Sequence, residues 1–559
     1  MPYHTKTKKR SIASTSFSKR GTRRSSRDDS KNKYNDSINS SSDSDSESDS
    51  DSSSDSSSSS DDDTTKTSSN EYLRHRYKKS SSSRKSSSGK TCPPDLSFED
   101  CELHILRQAV DEAEEVQGKK MTNSSEVQKI IMVVENFLKK KNLICYGGTA
   151  INNILPKKDQ FYDKELEIPD YDFFSSSALE DAKELADIYF DAGFEEVEAK
   201  SGQHFGTYKV FVNFIPVADI TSIPEELYKK LKQDAKRVNG VMYAPPNYLR
   251  MAMYLELSRP AGDVSRWEKV LKRLSILNKH YPIAAQQCDA VEFQRKMHDP
   301  SKVDLIYDVV KQTLIDQGCV FFGGFALSLY SKYLPKNISK HIEKNPDFDV
   351  LSEEPLMVAE ILKERLNEIG VKRVKIQKIP GIGEIISSHY EITVGSDTVA
   401  MIYEPLACHS YNIITQGGND VCVATIDTML SFYLAFLYVG DFAYNYDPER
   451  VYCMSHYLFE AQQKNRLNQK GLLKRFSLNC IGHQETIEEI RAKKSSKFVE
   501  LKNKKNTKEY EEWFLRYRPV ELRNKETPGA ATPGVATPVM KKTRKKTKSN
   551  KTFEFNIFK

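Results

Sequence analysis

The sequence predicts an α/β (α+β) protein made of two tandem copies of one unit, each a small mixed sheet with helices followed by a helical extension, between disordered N- and C-terminal tails. Three observations predict it. Landmarks recur down the chain at a nearly constant offset, apolar periodicity changes from helical to strand-like around each landmark, and both ends are poor in aliphatic residues. The 559 residues leave room for roughly two to four domains.

The first 90 residues are dominated by Ser, Asp, Lys and Arg, too polar to bury the apolar surface that would offset ordering entropy. The run from Asp36 to Asp63 holds ten acids and no Lys or Arg, so the rest of the chain carries 68 acids against 84 bases. That excess suits a polyanionic partner, though it also suits plain solubility. Residues 526–559 are Pro/Thr-rich, then strongly basic, and read as a flexible tail that either holds RNA loosely or only solubilises the chain.

Between the tails the landmarks come in order. Val127, Ile130, Ile131, Val134, Phe137 and Leu138 fall at helical spacing behind Ser124 or Ser125 as cap, and the apolar run LICY leads into GGTAINNIL. Ile306, Val309, Val310 and Leu314 repeat the helix, and CVFF leads into GGFALSLYSKYL. A loop and a D-x-D on an apolar run follow each Gly pair, DYDFF and then DFDVL. PNYLRMAMYLELS is echoed by TIDTMLSFYLAFL, and matching landmarks lie 176, 177 and 178 positions apart. The expected boundaries are 1–90 tail, 91–244 first unit, 245–298 helical extension, 299–420 second unit, 421–525 helical region and 526–559 tail.

Nine cysteines without a CxxC pair argue against a disulfide scaffold or a zinc site, and no apolar run is long enough to span a membrane. With no secretory signal at the N-terminus, a reducing, intracellular setting is expected.

The chemistry concentrates in the first copy. A strand ending at Gly147-Gly148-Thr149 and opening a helix lets backbone N–H groups approach a phosphate, with the Thr149 hydroxyl as a further donor. On a strand, Asp170 and Asp172 point the same way about 7 Å apart, a repulsive pair that a divalent cation would bridge. Asp219 stands alone in the apolar run FIPVADI, where a carboxylate needs a partner. If its strand lies beside the DYD strand, three carboxylates meet opposite the glycine turn, an arrangement suited to two Mg²⁺ or Mn²⁺ ions. Further on, Ser265-x-x-Glu268 reads as a capping box opening a helix, and Arg266, Lys269 and Arg273 share one face of it. They either clamp a triphosphate or primer backbone or form a solvated basic face.

The order strand–GG[S/T]–helix–DxD–strand–D resembles the DNA polymerase β-like nucleotidyltransferase superfamily. The segments ICYGGTAIN, IPDYDFFS and VFVNFIPVADITSIP are similar to the poly(A) polymerase catalytic subunit of large DNA viruses, the mimivirus and poxvirus type, over roughly residues 95–525. The resemblance implies a template-independent polymerase adding AMP from ATP to RNA 3′ ends. Asp170 and Asp172 would bind both metals, Asp219 would complete the primer-side metal site and help deprotonate the 3′-hydroxyl, and Gly147, Gly148 and Thr149 would contact the ATP phosphates. Arg266 and Lys269 complete the expected nucleotide-binding set. The Gly-to-Asp interval is longer than usual in the superfamily, implying an inserted loop.

Adenine preference follows from the resemblance alone. It further implies host cytoplasm or viral factory as the setting with packaging in the virion, no membrane, and either a homodimer or a separate processivity subunit. The second copy keeps Gly323, Gly324, Asp347 and Asp349 and replaces Thr149 by Phe325. Strand matching places Tyr403 at the Asp219 position, the constant offset places Asp397 there, and the copy is expected to be inactive. The alternatives are a non-catalytic RNA-binding, processivity or scaffold protein, and a terminal nucleotidyltransferase with another base preference.

Overall fold

Residues with two-residue alternation form strands here because alternate side chains reach a covered face. In Tyr171-Asp172-Phe173 the two aromatic rings are buried while Asp172 points the other way. The computed structural model describes residues 97–521 except 123, 163–167, 285–287, 289–290, 292, 294–301, 343–347 and 440–446. The expected disordered tails, 1–90 and 526–559, lie outside the described residues.

The first unit has β1 (Ile144–Cys145), β2 (Tyr171–Ser175), β3 (Val197–Ser201), β4 (Thr207–Val212), β5 (Ile215–Ser222), β6 (Lys236–Val238) and β7 (Val241–Tyr243). Their order across the sheet is β3-β4-β5-β2-β1-β7-β6. The second unit has β8 (Val320–Phe321), β9 (Phe348–Leu351), β10 (Val374–Ile379), β11 (His389–Val394), β12 (Asp397–Tyr403), β13 (His409–Gln416) and β14 (Asn419–Ala424). Their order, β10-β11-β12-β9-β8-β14-β13, is the same order position by position. Both sheets are mixed: β2 runs parallel to β5 as β9 does to β12, and β1 parallel to β7 as β8 does to β14. The internal repeat is therefore one topology used twice.

Two late strands depart from the helical region expected at 421–525. β15 (Cys480–Ile481) extends the second sheet beside β13, and β16 (Arg516–Tyr517) extends the first beside β3. Two-residue strands carry too little periodicity to be seen in sequence; they exist because an open edge accepts their backbone groups.

In the first unit the helices Ser125–Lys141 and Ala178–Asp191 cover one face, burying Ile130, Val134, Phe137, Leu185 and Tyr189 over Phe173 and Val210. Each such side chain contributes about 1.5–3 kcal/mol of burial. The units are joined through the helices Pro246–Leu257 and Ile426–Phe436, which pack together. Every residue of the second helix is buried, and Asp427 within it accepts two hydrogen bonds from the Arg475 guanidinium, at 2.8 and 2.5 Å.

Two expectations are corrected. Cys288–Cys453 and Cys408–Cys480 are disulfide-bonded, across 165 and 72 residues of chain, so local spacing held no sign of them. The Ser265–Glu268 capping box does not form: Asp263 caps a 3₁₀ turn at Val264–Arg266 through the Ser265 N–H, and the helix proper is Trp267–His280. Asp263 wins because its carboxylate also accepts from the Ser265 hydroxyl, at 2.5 Å. Among the described residues no helix is long and apolar enough to cross a membrane.

Candidate active site

The site grows from strand register. β2 and β5 are parallel neighbours with Asp172 opposite Asp219, and β4 places Lys209 opposite Asp219 from the other side. Residues in register on adjacent strands point to the same face, so Asp172, Asp219 and Lys209 form one row on the face that the covering helices leave open. Asp170 precedes β2 by one residue and joins the row electrostatically. The pairing of two strands thus sets Asp172 beside Asp219, with Asp170 one residue before β2.

The glycine turn sits against this row. Gly147, at φ +68°, approaches Asp172 so closely that a Cβ there would lie 2.5 Å from its Oδ2, and only glycine meets both demands. A Cβ on Gly148 would meet the Tyr162 hydroxyl at 2.4 Å and Arg273 Nη1 at 3.0 Å. Arg273 in turn donates to the Tyr162 hydroxyl at 2.8 Å and lies over the Phe161 ring at 4.8 Å. The Thr149 hydroxyl donates at 2.6 Å to the Asp170 carbonyl, so it fixes the approach to the D-x-D strand.

The electrostatics record crowding of like charge. Burial, then Asp219, raise the Asp170 carboxyl to about 6, against the opposing pull of Lys209. Burial, then Asp170 and Asp219, hold Asp172 well above the carboxylate range, with Lys209 and Arg266 pulling the other way. Lys209 is held above its ordinary value: burial lowers it, but Asp219, whose Oδ2 accepts from its Nζ at 2.7 Å, outweighs burial.

Lys209 is therefore the cation that Asp219 now faces, and sequence reading missed it. The alternation of TYKVFV points Lys209 away from the buried side, and that signal was present.

The basic helix face divides. Arg266 feels the charge of Asp172 and pairs with Glu256 at 3.3 Å. Lys269 is half-buried on Trp267–His280, and Arg273 reaches the glycine turn.

All the carboxylates here are hard oxygen donors of the kind Mg²⁺ and Mn²⁺ take, and Asp170 and Asp172 stay raised despite the pull of Lys209, which fits a divalent ion. Among the described residues no three His, Cys, Asp or Glu side chains already converge as a preformed ligand set. Asp219 here is engaged by Lys209 at 2.7 Å.

The second unit keeps the glycine and loses the row. A Cβ on Gly323 would lie 2.2 Å from Asp349 Oδ2, repeating Gly147 and Asp172. The residue opposite Asp349, however, is Met401. Neither expectation for the Asp219 counterpart holds: Tyr403 faces Leu351, where the first unit pairs Thr221 with Phe174, and Asp397 opens β12 against Val394. Insertions between the landmarks shift the offset, and only register resolves them. Phe325, in the place of Thr149, is packed on Phe321 at 4.8 Å. Asp347 lies outside the described residues.

A mixed sheet thus sets a glycine turn against D-x-D, with a third carboxylate on the neighbouring parallel strand, the order of elements on which the sequence resemblance rests. Residues 132–263 match the family model described as the poly(A) polymerase catalytic subunit, and the resemblance to the enzymes of large DNA viruses is borne out by relatives. A protein described as a putative poly(A) polymerase catalytic subunit from African swine fever virus (strain Badajoz 1971 Vero-adapted) is 31% identical over 205 residues, 36% of this chain and 43% of that one. A protein of the same description from Acanthamoeba polyphaga mimivirus is 32% identical over 164 residues, 28% of this chain and 27% of that one. The matches thus span less than half the length of these curated relatives. The crystal structure of the Megavirus polyadenylate synthase shares the fold, with a TM-score of 0.65 over 80% of this chain and 90% of that one at 19% identity.

Proposed function

We propose that this chain is a template-independent poly(A) polymerase that adds AMP from ATP to RNA 3′ ends. The observation that carries the proposal is the register of Asp172 with Asp219 on parallel β2 and β5, beside the glycine turn at Gly147. Asp170, Asp172 and Asp219 would hold two Mg²⁺ or Mn²⁺ ions, which when bound supply a lowered pKa at the attacking 3′-hydroxyl and charge neutralisation on the triphosphate.

The chain's own groups do the rest. Gly147 and Gly148 expose backbone N–H groups at a helix N-terminus to the phosphates. Thr149 holds the Asp170 carbonyl and so positions the D-x-D. Lys209 keeps Asp219 on the open face. Arg273 reaches the turn, and Arg266 and Lys269 on the same helical segment would line the phosphate side with it.

In this reading 91–244 with 245–298 is the catalytic half. The second unit, 299–420, is inactive and structural, because the Met401 thioether is a poor ligand for hard cations. The setting is the host cytoplasm or viral factory, with packaging in the virion, and the partner is a second copy or a separate processivity subunit.

Purified full-length chain incubated with a short oligo(A) primer, Mg²⁺ and each NTP in turn tests the proposal. An ATP-dependent ladder with release of pyrophosphate is expected. Extension with another NTP in preference to ATP, or pyrophosphate release without a ladder, would overturn it.

A further inference from the structure

The row that carries Asp172, Asp219 and Lys209 does not stop there. β3 places Lys200 opposite Lys209, and β16, brought back from the far end of the chain, places Arg516 opposite Lys200. Five residues on five adjacent strands are thus in register on one face: two carboxylates, then three cations. The opposite face in the same strands, with Ala199, Val210 and Ala218, is buried under helices. At about 4.8 Å per strand, Arg516 stands roughly 14 Å from Asp219. The side chain of Arg516 is 72% exposed, and Lys200 is exposed too.

Aromatic rings sit among these cations. The Lys200 ammonium lies 4.2 Å from the centroid of the Phe211 ring, on the neighbouring strand. At the tip of the β4–β5 hairpin Phe214 is 83% exposed at φ +65°, following Asn213 at φ +49°. Asparagine tolerates this left-handed backbone and phenylalanine resists it. A strained, solvent-facing aromatic ring does nothing for the core, which points to a role outside the fold. Glu198 is shared by Arg516 and Arg518 at 3.3 Å each, Arg518 also meets Glu521 at 3.7 Å, and Glu126 accepts from Asn213 at the hairpin tip, so that Lys200, Arg516 and Arg518 exceed by one charge the two acids that the arginines meet.

We propose that this open face of the first sheet, from Lys209 through Lys200 to Arg516 and Arg518, is the track along which the single-stranded 3′ segment of the RNA lies. The proposal rests on the polymerase reading above. Cations spaced at strand intervals track a phosphate backbone, while Phe211 and Phe214 offer faces on which bases stack without regard to sequence. The track begins at the carboxylate row, where a 3′-hydroxyl must arrive, and runs outward over β16, a strand that among the described residues has no counterpart at the matching edge of the second sheet. It gives β16 a purpose: the C-terminal segment completes the substrate surface of the N-terminal unit. In the second sheet the corresponding row reads Asp349, Met401, Glu391 and Gln377, and contains no cation.

The test uses the full chain and a short 5′-fluorescein oligo(A) followed by anisotropy over a salt series, with primer extension and thermal melting alongside. The double variant Lys200→Ala/Arg516→Ala is expected to weaken RNA binding about tenfold and to flatten the log–log salt dependence by about 1.4, two contacts at about 0.7 each for a single strand. Its KM for the primer rises while its KM for ATP holds. Phe214→Gly is expected to raise the melting temperature, by relieving the turn, and yet to weaken RNA binding about fivefold or more. Gln377→Ala, at the corresponding place in the second sheet, serves as the control and leaves both unchanged.

Wild-type affinity and salt slope in the double variant, with a wild type that still extends the primer, would overturn the track and spare the polymerase reading. A wild type that neither binds nor extends RNA would remove the reading and the track together. Displacement of the RNA by poly-glutamate at equal charge would show a surface for acidic polypeptide instead.

Discussion

Seven strands of each sheet share a topology down to their parallel and antiparallel pairing, and the row of side chains at the candidate site differs between them. In the first sheet the row runs Asp172, Asp219, Lys209; in the second it runs Asp349, Met401, Glu391. Both copies keep the glycine that lets the turn approach the second Asp of the D-x-D. What separates a candidate site from a scaffold is therefore the residue facing that Asp across one strand interval. A carboxylate there supplies the pair on which the proposed metal site rests. A thioether opposite the buried Asp349 is a poor ligand for a hard cation. Fold is retained by the apolar positions on the covered face, while function lies in the alternate positions on the open one.

The comparison is broken most directly by exchanging its acids. Asp172→Asn is expected to lower nucleotide incorporation about a thousandfold or more, as loss of a charge-neutralising ligand does in phosphoryl transfer. Asp349→Asn should leave incorporation within about twofold, since the Met401 row supplies no partner for an ion. Rates from primer extension decide it. A large loss in Asp349→Asn would give the second unit a part in the chemistry.

Glycine substitutions sharpen the same contrast at a smaller scale. Gly147→Ala and Gly323→Ala each drive a Cβ against an Asp carboxylate, at 2.5 and 2.2 Å. Each should cost about 1–3 kcal/mol of stability by overpacking, read by denaturant melts. Only Gly147→Ala should also depress incorporation. Equal loss of activity in both variants would erase the distinction between the units.

Much of this contrast was legible in sequence, and the reason is physical. Asp170, Asp172 and Asp219 stood out because charge inside an apolar strand run is costly without a partner, and the Gly pairs because a strand-to-helix turn needs them. The duplication showed because each unit repeats its landmarks at similar intervals.

What failed to show was register. Tyr403 and Asp397 were each plausible counterparts of Asp219, and the structure chose Met401 because β9 and β12 pair at Asp349 and Met401. Lys209 was hidden for the same reason, since its role depends on which strand lies next to its own. The disulfides and the two-residue strands β15 and β16 are long-range closures that leave no local periodicity.

An effect with no bearing on incorporation at neutral pH concerns acid stability and the second sheet. His409, buried at the start of β13, has neither ring nitrogen hydrogen-bonded, and burial followed by Arg259 lowers it to about 3. Its folded form binds fewer protons than the unfolded chain does below the ordinary histidine value of 6.5. Its stabilising contribution is thus complete above 6.5 and is lost as pH falls from there toward about 3. The slope in that window should be at most about 1.4 kcal/mol per pH unit. Thermal melts of wild type and His409→Leu across that range measure it, and an unchanged slope in the variant would assign the acid sensitivity elsewhere.

The most direct test of the whole account is a Mn²⁺ titration followed by the loss of the free-ion signal in electron paramagnetic resonance, on wild type, Asp172→Asn and Asp349→Asn. The account predicts saturable binding in wild type and in Asp349→Asn, and its loss in Asp172→Asn. Mn²⁺ held undiminished by Asp172→Asn, or lost from Asp349→Asn, would contradict it.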